Sequence, residues 1–348
     1  MAETFLARND AIDLQGTNAL TGNKPPAGGC SSLKATGSAT AGPAFKQRAA
    51  RLATRLASSY LQNRYCRLGK RLLWDRLCVP HLSWRQDDLV CRTQFGARMS
   101  SRPCEFIESR ILFFGAWEPR ITSLFQEIIK PGDVVLDVGA NVGYFTLLAS
   151  ACVGRQGRVY AVEPSDSIRR RLLHNLELNG TDNVTVLPCA AWDCCGEATF
   201  SLATHNGGAS SLRPLESQYG AVEEHVKLAR LDGLIPAEDA SRVRLIKLDI
   251  EGAELHALRG LSRLFDVNRE VAIVSEVNPQ MLRELGESAS NLCNSLTDLG
   301  FSAYAIENDY SVEAYLRPQR AKLPQRLERA PTEAGEVLFT RASMPPLG

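Results

Sequence analysis

Val134-Val135-Leu136-Asp137-Val138-Gly139-Ala140-Asn141-Val142-Gly143-Tyr144-Phe145-Thr146 is the stretch that decides how this chain folds. An apolar, valine-rich run holds an acid near its end, a glycine permits a sharp turn, and a second glycine lets the next helix start close to the sheet and to a ligand. Strand, glycine turn and helix in that order make the first βα unit of an open parallel sheet. Ligands of such sheets sit beyond the carboxyl ends of the strands, so Asp137, Gly139, Asn141 and Gly143 are expected at a binding site. A pyrophosphate-binding turn would read G-x-G-x-x-G and offer bare backbone N–H groups to the phosphates. Here Asn141 takes the place of the middle glycine and Asp137 precedes the turn. An acid at that point repels phosphate and suits a cationic ligand, one carrying an amino group or a sulfonium.

Moving outward, strand-like runs alternate with helical patterns: Val134 to Val138, Arg158 to Val162, Val184 to Cys189, Val243 to Leu248 and Glu270 to Ser275. That alternation means βα units on a parallel sheet. Ser165 can cap a helix whose face is Ile168, Leu172 and Leu176, and Asn179-Gly180 closes it with residues that tolerate a left-handed backbone. Leu292, Leu296 and Leu299 before Gly300 close another helix in the same way. The strand Val159-Tyr160-Ala161-Val162 ends at Glu163, 24 residues after Gly139. A carboxylate there can accept both hydroxyls of a ribose, or can simply favour the N-terminus of the following helix. A positively charged, ribose-bearing ligand without a pyrophosphate describes S-adenosylmethionine.

Composition sets the outer limits. With 348 residues, 44% hydrophobic and 23% charged, the chain matches soluble globular averages. Its longest apolar stretches, such as Ile111 to Trp117, fall far short of the ~18 to 20 residues that cross a bilayer. Met1-Ala2-Glu3-Thr4-Phe5 lacks the basic start of an export signal. The ten cysteines form no C-x-x-C pair and no zinc spacing, and the five histidines no H-E-x-x-H, so no metal is assigned and reduced thiols in the cytoplasm are expected. Residues 1–44, rich in Gly, Ala, Ser and Thr, read as a disordered tail. From Phe45 to Arg76 nine basic residues face only Asp75, and Leu52, Leu56 and Tyr60, then Leu68 and Leu72, recur at helical spacing with a break near Gly69. Such an amphipathic arm either touches an anionic membrane or an acidic partner, or lies on its own acidic body. The expected organisation is a tail (1–44), a basic helical arm (45–87), N-terminal strands with a lead-in helix (88–130, with Leu89-Val90-Cys91 and Ile111-Leu112-Phe113-Phe114 as extended runs), and the main domain (131–343).

These residues resemble the class I, Rossmann-like S-adenosylmethionine-dependent methyltransferases, specifically the FkbM family, from roughly Glu105 to Arg341. The pieces are Trp117-Glu118-Pro119, Pro131-Gly132-Asp133, the turn from Asp137 to Gly143, Val162-Glu163-Pro164, Ser210-Ser211-Leu212, Leu231-Asp232-Gly233-Leu234 and Ile246-Lys247-Leu248-Asp249-Ile250-Glu251-Gly252-Ala253-Glu254. Asn278 in Glu276-Val277-Asn278-Pro279 departs from the family's frequent histidine. The resemblance implies a seven-stranded, mostly parallel sheet with helices on both faces and an antiparallel last strand, for which Glu336 to Thr340 is the candidate. It also implies O-methylation of a hydroxyl on a sugar, glycan, polyketide or related small molecule.

Asp249 ends the fourth strand of the domain and Glu251 opens the next helix, so both carboxylates are expected where the methyl group is presented, as candidate bases; a role at the helix N-terminus, favoured by its dipole and capping, is the alternative. No Asn/Asp-Pro-Pro-aromatic tetrapeptide follows that strand, which argues against methylation of a nucleic-acid base, and no nucleic-acid partner is expected. Cys189 after Pro188 is read as a buried cysteine rather than a nucleophile. His205 to Ser211 reads as a mobile lid or a plain turn. The rival functions are a nicotinamide-dependent oxidoreductase on the same fold, and a non-enzymatic nucleotide-binding scaffold using the basic arm.

Overall fold

The structure, a computed structural model, describes residues 43–63, 65–66, 68–203, 210–212, 221–316 and 324–342. The expected tail lies outside these residues except for its last two, and His205 to Ala209 of the expected lid lie outside them as well. The chain divides into two units, Met1–Ala50 and Arg51–Gly348. Helix α1 (Pro43–Gln62) is followed by α2 (Lys70–Leu73), which runs into a π-helical stretch, Trp74–Leu82. A hairpin, β1 (Leu89–Arg92) and β2 (Arg98–Ser101), leads to α3 (Phe106–Phe114) and α4 (Pro119–Ile128). Ile111 to Phe114 is therefore helix, not strand. A four-residue apolar run has no period of its own, and this one closes a helix buried on every side from Glu108 to Phe114, ended by Gly115 at φ 75°.

The main domain follows as β3 (Val134–Val138), α5 (Tyr144–Val153), β4 (Arg158–Val162), α6 (Asp166–Asn179), β5 (Val184–Leu187), β6 (Ala190–Ala191), β7 (Gly196–Ala203) and β8 (Ala221–Ala229). Next come α7 (Ala237–Ala240), β9 (Val243–Leu248), α8 (Glu254–Arg259), α9 (Ser262–Val267), β10 (Ala272–Val277), α10 (Pro279–Glu284) and α11 (Ala289–Asp298). It closes with β11 (Ser302–Ile306), α12 (Val312–Leu316), β12 (Gln325–Arg326) and β13 (Gly335–Thr340). Eight strands form one sheet in the order β12-β11-β13-β10-β9-β3-β4-β5. β3, β4, β5, β9 and β10 are parallel, while β13 enters antiparallel between β10 and β11. The expected seven strands are all present; the eighth is the two-residue β12 at the edge. A separate sheet, β6-β8-β7, was not anticipated.

Helices cover both faces, and successive residues of a strand feed different cores. Val134, Leu136 and Val138 point to one, with Ile246, Leu258 and Leu292. Val135 points to the other, with Leu245, Val274, Leu338 and Phe145. As expected, Ser165 caps α6 by accepting from the Ile168 N–H, and Gly180 ends it in the left-handed conformation.

The arm belongs to the second core from Arg51 on, packing there through small residues rather than through the leucine face. Ala57 and Leu61 of α1 and Trp74, Cys78 and Leu82 are buried there, and the Ser58 hydroxyl donates to the Leu112 carbonyl at 2.6 Å. Small residues at Thr54, Ala57 and Ser58 allow this close approach. Leu52, Leu56, Leu68 and Leu72 point out instead, 58%, 63%, 86% and 62% exposed. Ion pairs from Arg51 to Asp87 and from Arg71 to Glu313 tie the arm down.

Candidate active site

The turn after β3 packs backbone on backbone. The Gly139 and Ala140 N–H groups both donate to the Val162 carbonyl, and the Asp249 N–H donates to the Val138 carbonyl. Gly139 sits at φ 88°, and a Cβ there would lie 2.0 Å from the Asp249 carbonyl oxygen. Gly143, at φ 92°, would press on Leu172. These glycines let the ends of β3, β4 and β9 converge.

An open cleft of about 560 Å³ forms at this convergence. Gly139, Asn141, Glu163, Asp249, Ile250 and Glu251 line it, and Ile168, Phe200 and Leu212 supply apolar wall. Among the described residues, three carboxylates and no basic side chain line it. Glu163 is 4% exposed, and its two oxygens accept the N–H groups of Asn141 (2.9 Å) and Ser165 (3.0 Å). Burial pushes its carboxyl up to about 7, against those two bonds and Arg169. Asn141 adopts φ 49°, a left-handed conformation that asparagine tolerates, and spends its N–H on Glu163.

Asp137 and Gly143 do not line the cleft. Asp137 is 1% exposed, accepts the Thr146 hydroxyl at 2.6 Å, and ties the start of α5 to β3 from behind the turn. Asn278 caps α10, accepting from the N–H groups of Gln280 and Met281. Cys189 lines the cleft, yet burial pushes its thiol up to about 11, the wrong direction for a thiolate nucleophile.

Beside Asp249 and Glu251 the structure assembles groups that the sequence did not single out as a site. Lys247, 3% exposed near the end of β9, donates to Asp249 at 2.6 Å and lies 4.8 Å from the Phe145 ring centre. Burial opposes its charge, but Asp249, Glu118 and Asp137 outweigh it and hold the ammonium protonated. Glu118, at φ 44° and 2% exposed, accepts from the Tyr310 hydroxyl (2.6 Å) and from Asn308 (3.0 Å). Burial pushes it up to about 7, with Lys247 pulling the other way. Glu276 and Glu336 are cross-strand partners on β10 and β13. A lysine inside Val-Arg-Leu-Ile-Lys-Leu was the legible signal for this end, since a buried strand keeps a charge only beside a partner.

The chemistry of these residues fits S-adenosylmethionine: Glu163 is a buried carboxylate able to accept from ribose hydroxyls, and the described lining offers a sulfonium carboxylates and no basic side chain. Residues 137–303 match the methyltransferase FkbM domain. Methyltransferase sdnD of Sordaria araneosa is 28% identical over 155 residues, 36% of this chain and 60% of that protein. The AMB antimetabolite synthetase AmbE of Pseudomonas aeruginosa is 31% identical over 168 residues, 38% of this chain but 8% of that protein. The chain thus spans less than two thirds of either relative. Among solved structures, a methyltransferase from Streptococcus mutans in complex with S-adenosylhomocysteine is 10% identical, with a TM-score of 0.37 over 63% of this chain and 94% of that one. A S-adenosylmethionine-dependent O-methyltransferase from Thermotoga maritima is 14% identical, with a TM-score of 0.35 over 74% and 79%. Residues 137–303 are a methyltransferase domain of the FkbM family, and the cofactor of that domain is S-adenosylmethionine.

Proposed function

We propose that the chain is an O-methyltransferase acting on a hydroxyl of a sugar, glycan, polyketide or related small molecule. The carrying observation is one cleft lined both by Glu163 and the glycine turn and by Asp249 and Glu251. When bound, S-adenosylmethionine supplies an electrophilic methyl group on its sulfonium. Gly139, Asn141 and Glu163 hold the cofactor, and Asp249 and Glu251 face the acceptor and draw on its O–H bond as the methyl group arrives. Lys247 fixes the Asp249 carboxylate, and alignment of the reacting atoms at about 3 Å is the main gain the protein can offer. The nicotinamide reading is disfavoured because the Asn141 N–H, which a pyrophosphate would need, is spent on Glu163. Methyl-labelled cofactor incubated with the protein and cell extract, followed by counting label in polysaccharide, lipid, protein and nucleic-acid fractions, tests the acceptor class. Label confined to nucleic acid would refute it.

The working compartment proposed is the cytoplasm, consistent with nine free cysteines among the described residues. No described helix is long and apolar enough to cross a membrane. The outward face of the arm supports a surface contact instead. Leu52, Leu56, Leu68 and Leu72 are exposed beside Arg55 and Arg76, which is the composition that settles on anionic lipid.

A further inference from the structure

The acceptor end of the cleft is acidic beyond what its one lysine balances. Leu248 pairs with Ser275, so the residues that follow, Asp249 and Glu276, leave β9 and β10 side by side, and Glu276 pairs in turn with Glu336. All three share the sheet face of Leu245, Val274 and Leu338. One carboxylate oxygen each from Asp249, Glu251 and Glu276 lie within 4.8 Å of one another. A second observation is independent of that trio. Glu336, 8% exposed, stands in register beside Glu276 and within the field of Asp249. Glu118 adds a buried Oε2 without a partner. Lys247 neutralises one charge of this group. The rest need shared protons or a bound cation, and a trio of oxygens converging from three backbone positions is the arrangement a cation takes.

We infer that Asp249, Glu251 and Glu276 hold a divalent metal ion of the magnesium or manganese class at the acceptor end of the cleft, with Glu336 accepting from a water on that ion. The all-oxygen donor set selects a hard cation. The inference deepens the O-methyltransferase reading and rests on it. Asp249 and Glu251 then act on the acceptor through the ion, which binds the hydroxyl oxygen and makes its proton easier to lose. In the transfer the oxygen–carbon bond forms as the carbon–sulfur bond breaks. Sulfur keeps the electron pair as the thioether of S-adenosylhomocysteine, and the hydroxyl proton leaves to water.

The test is titration of the full chain with Mn²⁺, followed by electron paramagnetic resonance, with Mg²⁺ as competitor and S-adenosylhomocysteine affinity measured in parallel. One Mn²⁺ per chain, displaced by Mg²⁺, is expected. Glu276→Gln should weaken it by about tenfold or more while leaving S-adenosylhomocysteine affinity within a few fold, and Glu251→Gln serves if the first variant does not fold. A chain that binds S-adenosylhomocysteine but holds no Mn²⁺ overturns the metal site, leaves the methyltransferase reading standing, and makes Glu276 and Glu336 a proton-sharing pair. Turnover untouched by a chelator overturns it equally. Mn²⁺ binding without any S-adenosylhomocysteine binding keeps the site and removes the methyltransferase reading.

Discussion

Glu163 gives the sharpest test of the cofactor end, because its proton should work in opposite directions on the free and the bound protein. Its carboxyl is pushed from the ordinary 4.5 up to about 7 by burial, with Arg169 favouring and Asp137 opposing the charge. A raised carboxyl binds its proton more tightly folded than unfolded. The free protein therefore loses stability as pH rises from 4.5 through 7, by about 3 kcal/mol at 1.36 kcal/mol per unit. Charge-assisted acceptance from a ribose hydroxyl on each of its two oxygens requires this group to be ionised. S-adenosylhomocysteine binding should therefore release about half a proton near pH 7, and its affinity should fall by about tenfold per unit well below that. Glu163→Gln removes the titration. It also sets an amide NH₂ against the N–H of Asn141 or Ser165, both of which now donate to the carboxylate. Loss of charge-assisted bonds worth roughly 1.5–3 kcal/mol each predicts at least tenfold weaker binding at pH 8. Calorimetry in buffers of different ionisation enthalpy reads both affinity and proton release. Binding by the parent protein without proton release near pH 7, or a variant with the parent's pH profile, would refute the reasoning.

Gly139→Ala should destabilise the domain by several kcal/mol, since its Cβ would sit 2.0 Å from the Asp249 carbonyl at a left-handed φ; an unchanged urea midpoint would contradict that packing. Asp249→Asn is expected to lower turnover by about 10² to 10⁴-fold with cofactor affinity within a few fold, and full turnover in the folded variant would remove Asp249 from the chemistry. Lys247→Met leaves buried carboxylates uncompensated and should cost about 3–5 kcal/mol in denaturant unfolding, whereas Lys247→Met with Asp249→Asn should recover much of it. For the arm, Leu52→Glu with Leu56→Glu should abolish salt-sensitive sedimentation with anionic vesicles and leave cofactor affinity intact; no sedimentation of the parent at low salt would refute the surface contact.

Much of the fold was legible because the βα units carry strong local signals. Val134 to Val138 is a buried strand in any context, and Ser165 with Gly180 brackets α6 at both ends. What was not legible depended on tertiary choice. Leu52, Leu56 and Tyr60 keep helical spacing as faithfully as a core face would, yet α1 buries its small residues, because Thr54, Ala57 and Ser58 fit against Leu112 where leucines would not. The two halves of the site differ in the same way. The cofactor end is built from consecutive residues after β3 and β4, so spacing could reveal it. The acceptor end gathers Glu118, Lys247, Glu276 and Glu336 from four distant segments, and their meeting depends on strand order.

That order bears on synthesis as well as catalysis. β13 follows the other described strands of the sheet in the chain, yet its place is inside the sheet, between β10 and β11, which are both complete some thirty residues earlier. Until Gly335–Thr340 arrives, both neighbours present open strand edges, the feature that invites pairing with other chains. Closure then comes from a contact made late and over long sequence separation, the slow kind. Glu336 travels on that strand, so the acidic end of the cleft gains its last carboxylate in the same event that seals the sheet. A chain cut short before Gly335 would lack both the strand that joins β10 to β11 and the Glu336 carboxylate.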